Sequence, residues 1–161
     1  MKWVTVLAKT GLPRQVDFQA VSEEWGTVRL SDGSEASTRI ILADLSIVGE
    51  DVIGPRVVYS HVVALRVKCP SDVLNIAKDK PFFQSSQPIP LTKEAGYEVL
   101  EIIEQKTSTR STYRFGDYEL DLELEVVGAA RNTQYRVPGG APLYNLRWSV
   151  KSRVKRIPGS T

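Results

Sequence analysis

The chain predicts a mainly β, antiparallel fold: one or two small barrel- or sandwich-like units, with one or two short helices in the middle. Three observations carry this. Val, Ile, Thr and aromatic residues recur in short runs punctuated by Gly, Pro and Asp, which is strand grammar. Asp32-Gly33 sits between two apolar runs, where Gly supplies the positive φ of a tight hairpin turn. From Asp117 to Val127 and from Tyr144 to Ile157 charged and apolar residues alternate, the period of half-buried strands.

The elements follow in order. Trp3 to Leu7 and Gln15 to Val21 are the first strand candidates, parted by Gly11-Leu12-Pro13. Thr27 to Leu30 leads into the turn Ser31 to Ser34, then a run from Arg39 to Val48, a loop from Gly49 to Pro55, and a strand from Arg56 to Lys68. The last is apolar on both faces, as in a strand covered on both sides. Ser71-Asp72 before Val73, Leu74, Ile76 and Ala77 reads as a short N-capped helix. Pro81 to Pro90 has no period and reads as a linker or arm. Thr92 to Lys106 admits two readings: a helix capped by Thr92, or a strand from Tyr97 to Ile103 favoured by the helix-weakening Gly96.

This order divides the chain into an N-terminal β unit (1–80) ending in the short helix, a linker (81–91) and a C-terminal β unit (92–161). A single compact domain is the alternative. Gly54-Pro55 with Tyr59, then Arg66 to Pro70, is echoed by Gly140 to Tyr144, then Arg153 to Pro158, the pattern that an internal duplication would leave.

The chain has 161 residues, 42% hydrophobic and 25% charged, enough to bury a core without disulfide or metal. A net charge of +2 lacks the clustered excess of a bulk-charge nucleic-acid binder. Cys69 and His61 are the only residues of their kinds, so neither an intrachain disulfide nor a Cys- or His-rich metal centre is expected. On one strand, eight residues at about 3.3 Å each would hold these two roughly 26 Å apart. His61 itself would need an orienting partner to act as a general base. No phosphate-loop, dinucleotide-binding or His-Glu-x-x-His pattern is present, and no cofactor is implied. No apolar run approaches the roughly 20 residues that span a bilayer, so no membrane partner is expected, and a reducing, cytoplasmic location suits the lone thiol. More Arg than Lys, with one Cys and one Met, is a bias of heat-adapted proteins.

These features favour a non-catalytic binding or assembly module, with nucleic acid as one candidate partner. A structural, self-associating β protein is the alternative, and an enzyme of unassigned reaction comes third. The candidate nucleic-acid contacts are Lys106, Arg110, Tyr113, Arg114 and Arg156. In Lys106 to Phe115 cations, hydroxyls and aromatics interleave, as phosphate contacts and stacking platforms do. Phe82-Phe83 is the candidate packing or oligomer arm, because leaving such rings in water costs about 1.5–3 kcal/mol each. The acids Asp117 to Glu125 and the cations Arg147 to Lys155 are expected to face one another across an antiparallel pair, with Glu125 opposite Arg147 and Asp121 opposite Lys151. That register would neutralise the basic stripe.

Overall fold

The computed structural model describes residues 11–86 and 88–159; the expected strand Trp3 to Leu7 lies outside them. The described residues form ten strands: β1 (Arg14–Gln15), β2 (Gln19–Glu24), β3 (Gly26–Leu30), β4 (Glu35–Asp51), β5 (Gly54–Lys68), β6 (Tyr97–Leu100), β7 (Ile102–Thr107), β8 (Thr109–Phe115), β9 (Tyr118–Arg136) and β10 (Pro142–Arg156). One helix, α1 (Ser71–Ile76), follows β5. No helix among the described residues is long and apolar enough to cross a membrane.

All strand pairs are antiparallel, in two five-stranded sheets that do not close into a barrel. In sheet A, β4 pairs with β5 on one side and with β1 and β3 on the other; β3 then pairs with β7. In sheet B, β9 pairs with β10 on one side and with β6 and β8 on the other; β8 then pairs with β2. The two pairing plans are the same, and each second strand has gone to the opposite sheet. Only Trp25 separates β2 in sheet B from β3 in sheet A, and only Ser108 separates β7 in sheet A from β8 in sheet B. Two bent strands therefore join the sheets.

The bends cross where Gly26 meets Thr109. A Cβ on Gly26 would overlap the Thr109 main-chain nitrogen and lie 2.7 Å from the Ser108 carbonyl carbon, so only glycine fits. Beyond the crossing, β8 runs beside β4 through the interior. Thr38 and Thr109 hydroxyls bond at 2.7 Å, the Ser111 hydroxyl donates to the Ile40 carbonyl at 2.6 Å, and the Leu42 amide donates to the Tyr113 hydroxyl at 2.9 Å. This polar seam meets the rule that buried hydroxyls need partners. One apolar cluster includes Val28, Leu30, Leu124, Val126 and Leu146; the other includes Ile40, Leu45, Phe115, Leu120 and Leu122. Each draws on both sheets and on both sides of the 81–91 segment.

Three expectations are corrected. The loop Gly49 to Pro55 is a tight turn, because the Asp51 carboxylate accepts the Ile53 and Gly54 amides (2.9 and 3.3 Å) and lets the strands run nearly to the tip. The helix after Thr92 does not form. The Thr92 hydroxyl accepts the Ala95 amide as a cap would (3.2 Å), but Gly96 then turns to φ +101° and sends the chain into β6. The β9–β10 register is slipped by two residues: Glu125 faces Ser149, Glu123 faces Lys151, Asp121 faces Arg153 and Glu119 faces Lys155. Parity holds, because the apolar face must stay inside. Cross-strand ion pairs contribute only about 0.2–1 kcal/mol each, too little to oppose the core packing and hairpin turn that choose between registers of equal parity.

The Gly26 contact predicts that Gly26→Ala lowers unfolding free energy by about 1–3 kcal/mol or more, as overpacking does. Gly128→Ala is the control, because its Cβ would sit at an ordinary 3.6 Å from the nearest atom, Arg147 Cβ. Urea unfolding of both variants measures the difference.

Candidate functional site

The segment Lys106 to Phe115 spans the bend at Ser108, so its candidate residues part company. Lys106 is on β7 in sheet A, with Nζ 2.6 Å from Glu35 Oε1. Arg110 and Arg114 point outward from β8, whereas Thr109, Ser111, Tyr113 and Phe115 point into the core. The interleaving of cations with hydroxyls and aromatics is thus a strand's two faces. Tyr113 is 1% exposed and offers no stacking platform. Its hydroxyl donates to the Glu23 carboxylate, which also accepts Arg39 Nη2 at 3.1 Å. Burial, then the bond to Glu23, pushes the phenol up to about 12. Arg156 ends β10 opposite Tyr118.

Arg110 and Arg114 join a charge lattice. Register sets Glu24, Arg110, Glu123 and Lys151 in one row and Arg114, Glu119 and Lys155 in another, with Asp121 and Arg153 between them. The closest contacts are Lys155 to Asp121 (3.1 Å) and Arg114 to Glu119 (3.5 Å). Cations Arg110, Arg114, Lys151, Arg153 and Lys155 equal in number the carboxylates Glu24, Glu119, Asp121, Glu123 and Glu125. This face therefore carries no surplus for a phosphate backbone.

The Phe82-Phe83 arm lies along the end of β9. The Phe83 amide donates to the Arg136 carbonyl (2.8 Å), and the Arg136 amide to the Pro81 carbonyl (3.0 Å). The Arg136 guanidinium stands 4.1 Å from the Phe82 ring centroid, and Phe83 meets Tyr135 edge-on at 6.2 Å. Phe83 is half-buried and Phe82 remains 52% exposed.

A polar cluster that sequence spacing did not reveal lies where the β3–β4 turn meets β9 and β10. Asp32 accepts the Tyr144 hydroxyl (2.6 Å), Arg131 Nη1 (3.2 Å) and the Ser34 amide (2.9 Å). The Tyr144 hydroxyl also contacts the Ser34 hydroxyl (2.8 Å) and Cys69 Sγ (3.5 Å). Burial alone would raise the Asp32 carboxyl, but the bonds from Tyr144 and Ser34, with Arg131 nearby, hold it below its ordinary value. Burial, then the bond to Asp32, drives the Tyr144 phenol far above its ordinary value. A phenol so placed holds its proton near neutral pH, and the cluster ties the turn to sheet B. Asp-Gly marked the turn; nothing in the spacing tied it to Tyr144, 112 residues away.

The third region is the outer edge of sheet A. Among the described residues β5 pairs with β4 alone. From Val57 to Leu65 it carries no charged residue, and Val58, Val62 and Leu65 are 54%, 57% and 39% exposed. His61 lies beside Tyr59, with ring centroids 5.9 Å apart. β10 holds the corresponding edge of sheet B and carries Arg147, Lys151, Arg153, Lys155 and Arg156. Among the described residues no group of His, Cys, Asp and Glu side chains is arranged to hold a metal ion.

No protein-family model, curated protein or solved structure matches this chain.

Two outcomes follow. Tyr144→Phe leaves the buried Asp32 and Ser34 short of a partner and should lower unfolding free energy by about 1–3 kcal/mol, read by urea unfolding. Because the Asp32 pKa is lower folded than unfolded, its stabilisation is full above the unfolded value and is lost as pH falls through the folded one. Asp32→Asn should therefore be less stable than the parent near neutral pH, with the gap narrowing in acid, as thermal unfolding across pH will show.

Proposed function

We propose that this protein is a non-catalytic assembly module that associates through the β5 edge with a second copy of itself. One observation carries the reading: strands in matching positions have opposite edges, β10 charged and β5 apolar. Edge strands are kept monomeric by charges, prolines or bulges, and β5 has no charged side chain over its central nine residues, Val57 to Leu65.

The edge is self-complementary in one antiparallel register. A two-fold axis through Ser60 sets Val58 of one copy opposite Val62 of the other, with Arg56 opposite Ala64. An axis through His61 would instead oppose Arg56 with Arg66, a like-charge pair that costs stability. The Ser60 register makes one ten-stranded sheet of two copies of sheet A, near the ordinary upper size of an open twisted sheet. The two units on either side of residues 81–91 are read as diverged copies of one β unit, supported by their shared pairing plan. In this reading one copy kept an association edge and the other acquired a charged one.

Nucleic acid is not the favoured partner of the Arg110 and Arg114 face, because the five cations of that lattice are matched in number by five carboxylates. Arg110→Ala and Arg114→Ala should leave retention on immobilised single-stranded DNA and its salt dependence unchanged. A log–log salt slope that flattens by about one unit in each variant would return the interface to that face.

Sedimentation equilibrium tests the assembly. The protein should be a dimer, and Val62→Lys should be a monomer with the circular dichroism of the parent. A monomeric parent, or a dimer indifferent to both Val62→Lys and Val58→Lys, would overturn the reading.

A further inference from the structure

The outward surface of sheet B changes character along its length. The salt-bridged lattice occupies the end where β8 pairs with β9. Where β6 takes over, the surface becomes a groove of about 640 Å³, within the range of small-molecule sites. Its base is strand: Val99, Ala130 and Asn145 lie in one row, and Gly128 lies beside Arg147. The Leu91–Lys93 loop forms a further wall. Val99 is 85% exposed and Leu91 48%, so apolar side chains meet water across the groove.

Register explains why the groove carries unused positive charge. The β9–β10 pairing shifts between Arg147 and Trp148, leaving Val127 as the extra residue. The carboxylates that face Lys151, Arg153 and Lys155 therefore have no counterpart opposite Arg147, which faces Gly128. Lys93 stands in the loop wall. Among the described residues neither Lys93 nor Arg147 forms an ion pair. The one lining carboxylate, Glu98, is taken by Arg131 at 2.8 Å from Nε and 2.5 Å from Nη2.

The other unit provides an internal comparison. β4 has a matching shift between Leu42 and Asp44. There Asp44 accepts the Gln15 side-chain amide (2.9 Å) and the Ser60 hydroxyl (3.2 Å), so polar side chains of β1, β4 and β5 satisfy one another. The same strand triple in sheet B carries Val99, Gly128, Asn145 and Arg147. One bulge is closed by its own side chains, and the other leaves an apolar surface beside free cations. Bulges recur next to functional sites, and here the extra β9 residue sets Gly128, which has no side chain, opposite Arg147.

We propose that this groove binds a small amphiphilic anion, an apolar chain or ring ending in a carboxylate. The apolar part lies over Val99, Gly128 and Ala130, and the carboxylate meets Arg147 and Lys93. A guanidinium matches a carboxylate bidentately, and Asn145 at the base and Thr92 in the wall add polar side chains to the lining. The site is independent of the β5 edge, which lies on the other sheet.

Isothermal titration calorimetry with decanoate, kept below its micelle concentration, tests this on the full chain. The expected result is one site per chain for decanoate, with no measurable heat from acetate or decyltrimethylammonium. Arg147→Gln should weaken decanoate binding about tenfold, the scale of one hydrogen bond to a charged group. Ala130→Leu, which fills the groove without touching the charges, should abolish binding, and circular dichroism and thermal unfolding verify that both variants fold. Equal binding of decyltrimethylammonium, absence of decanoate binding, or affinity unchanged in both folded variants would overturn the proposal. Val62→Lys should leave decanoate affinity unchanged, which separates failure of this site from failure of the assembly edge.

Discussion

Two chains of atoms cannot occupy one place, and the fold is organised around that limit at Gly26 and Thr109. The strands β2–β3 and β7–β8 must each pass from one sheet to the other, and they pass at the same point. The crossing is possible because one of them presents no side chain there. Once it is made, β4 and β8 are held alongside each other, and the hydroxyls of Thr38, Thr109 and Ser111 have main-chain or side-chain partners at 2.6–2.7 Å. The apolar residues on each side then fall into two clusters. Move the crossing, and the seam loses its partners and both clusters lose their shared wall.

Much of this architecture could be read from the chain, and the misses have definite causes. Alternation placed Leu120, Leu122 and Leu124 inside, and Asp32-Gly33 marked its hairpin, because both signals are local. The β9–β10 register failed by two residues because parity is fixed by the core, whereas the choice among registers of equal parity depends on turn and bulge geometry that composition does not display. Lys106 to Phe115 misled for a different reason. Thr and Ser are polar letters, and alternation among Thr109, Arg110, Ser111, Thr112, Tyr113 and Arg114 resembles a contact loop. The hydroxyls point inward only because a crossing strand from the other unit supplies partners, and sequence spacing contains no trace of that strand. Strand β5 was misread: apolar residues on both faces predicted a strand covered on both sides, whereas Val58 and Val62 stay 54% and 57% exposed, because which face of a sheet is covered is a property of topology.

The matching pairing plans make differences between the units informative. Shared features, such as a long hairpin with shifts in register, answer to the fold. Features present on one side alone are not required by that plan. Charge along β10 against apolar residues along β5, and a polar-plugged bulge at Asp44 against an open one at Gly128, are differences of this second kind. They distinguish the outer surfaces of the two sheets, while the packing between the sheets stays common to both.

The exchange of β2 and β7 also bears on how the molecule comes to be made. During synthesis β2 emerges long before β8, the strand that completes it; Glu23 and Tyr113 are 90 residues apart. At the usual elongation rates of about 5–20 residues per second, several seconds separate the two. Throughout that interval the amino-terminal half carries a strand with no sheet to join and a β3 edge still waiting for β7. Folding must therefore end in a late, long-range docking step, with the high contact order that makes β proteins slow folders. The nascent chain, with β2 unpaired and the outer edges of β3 and β5 open at once, is the state in which this molecule has the greatest need of a chaperone.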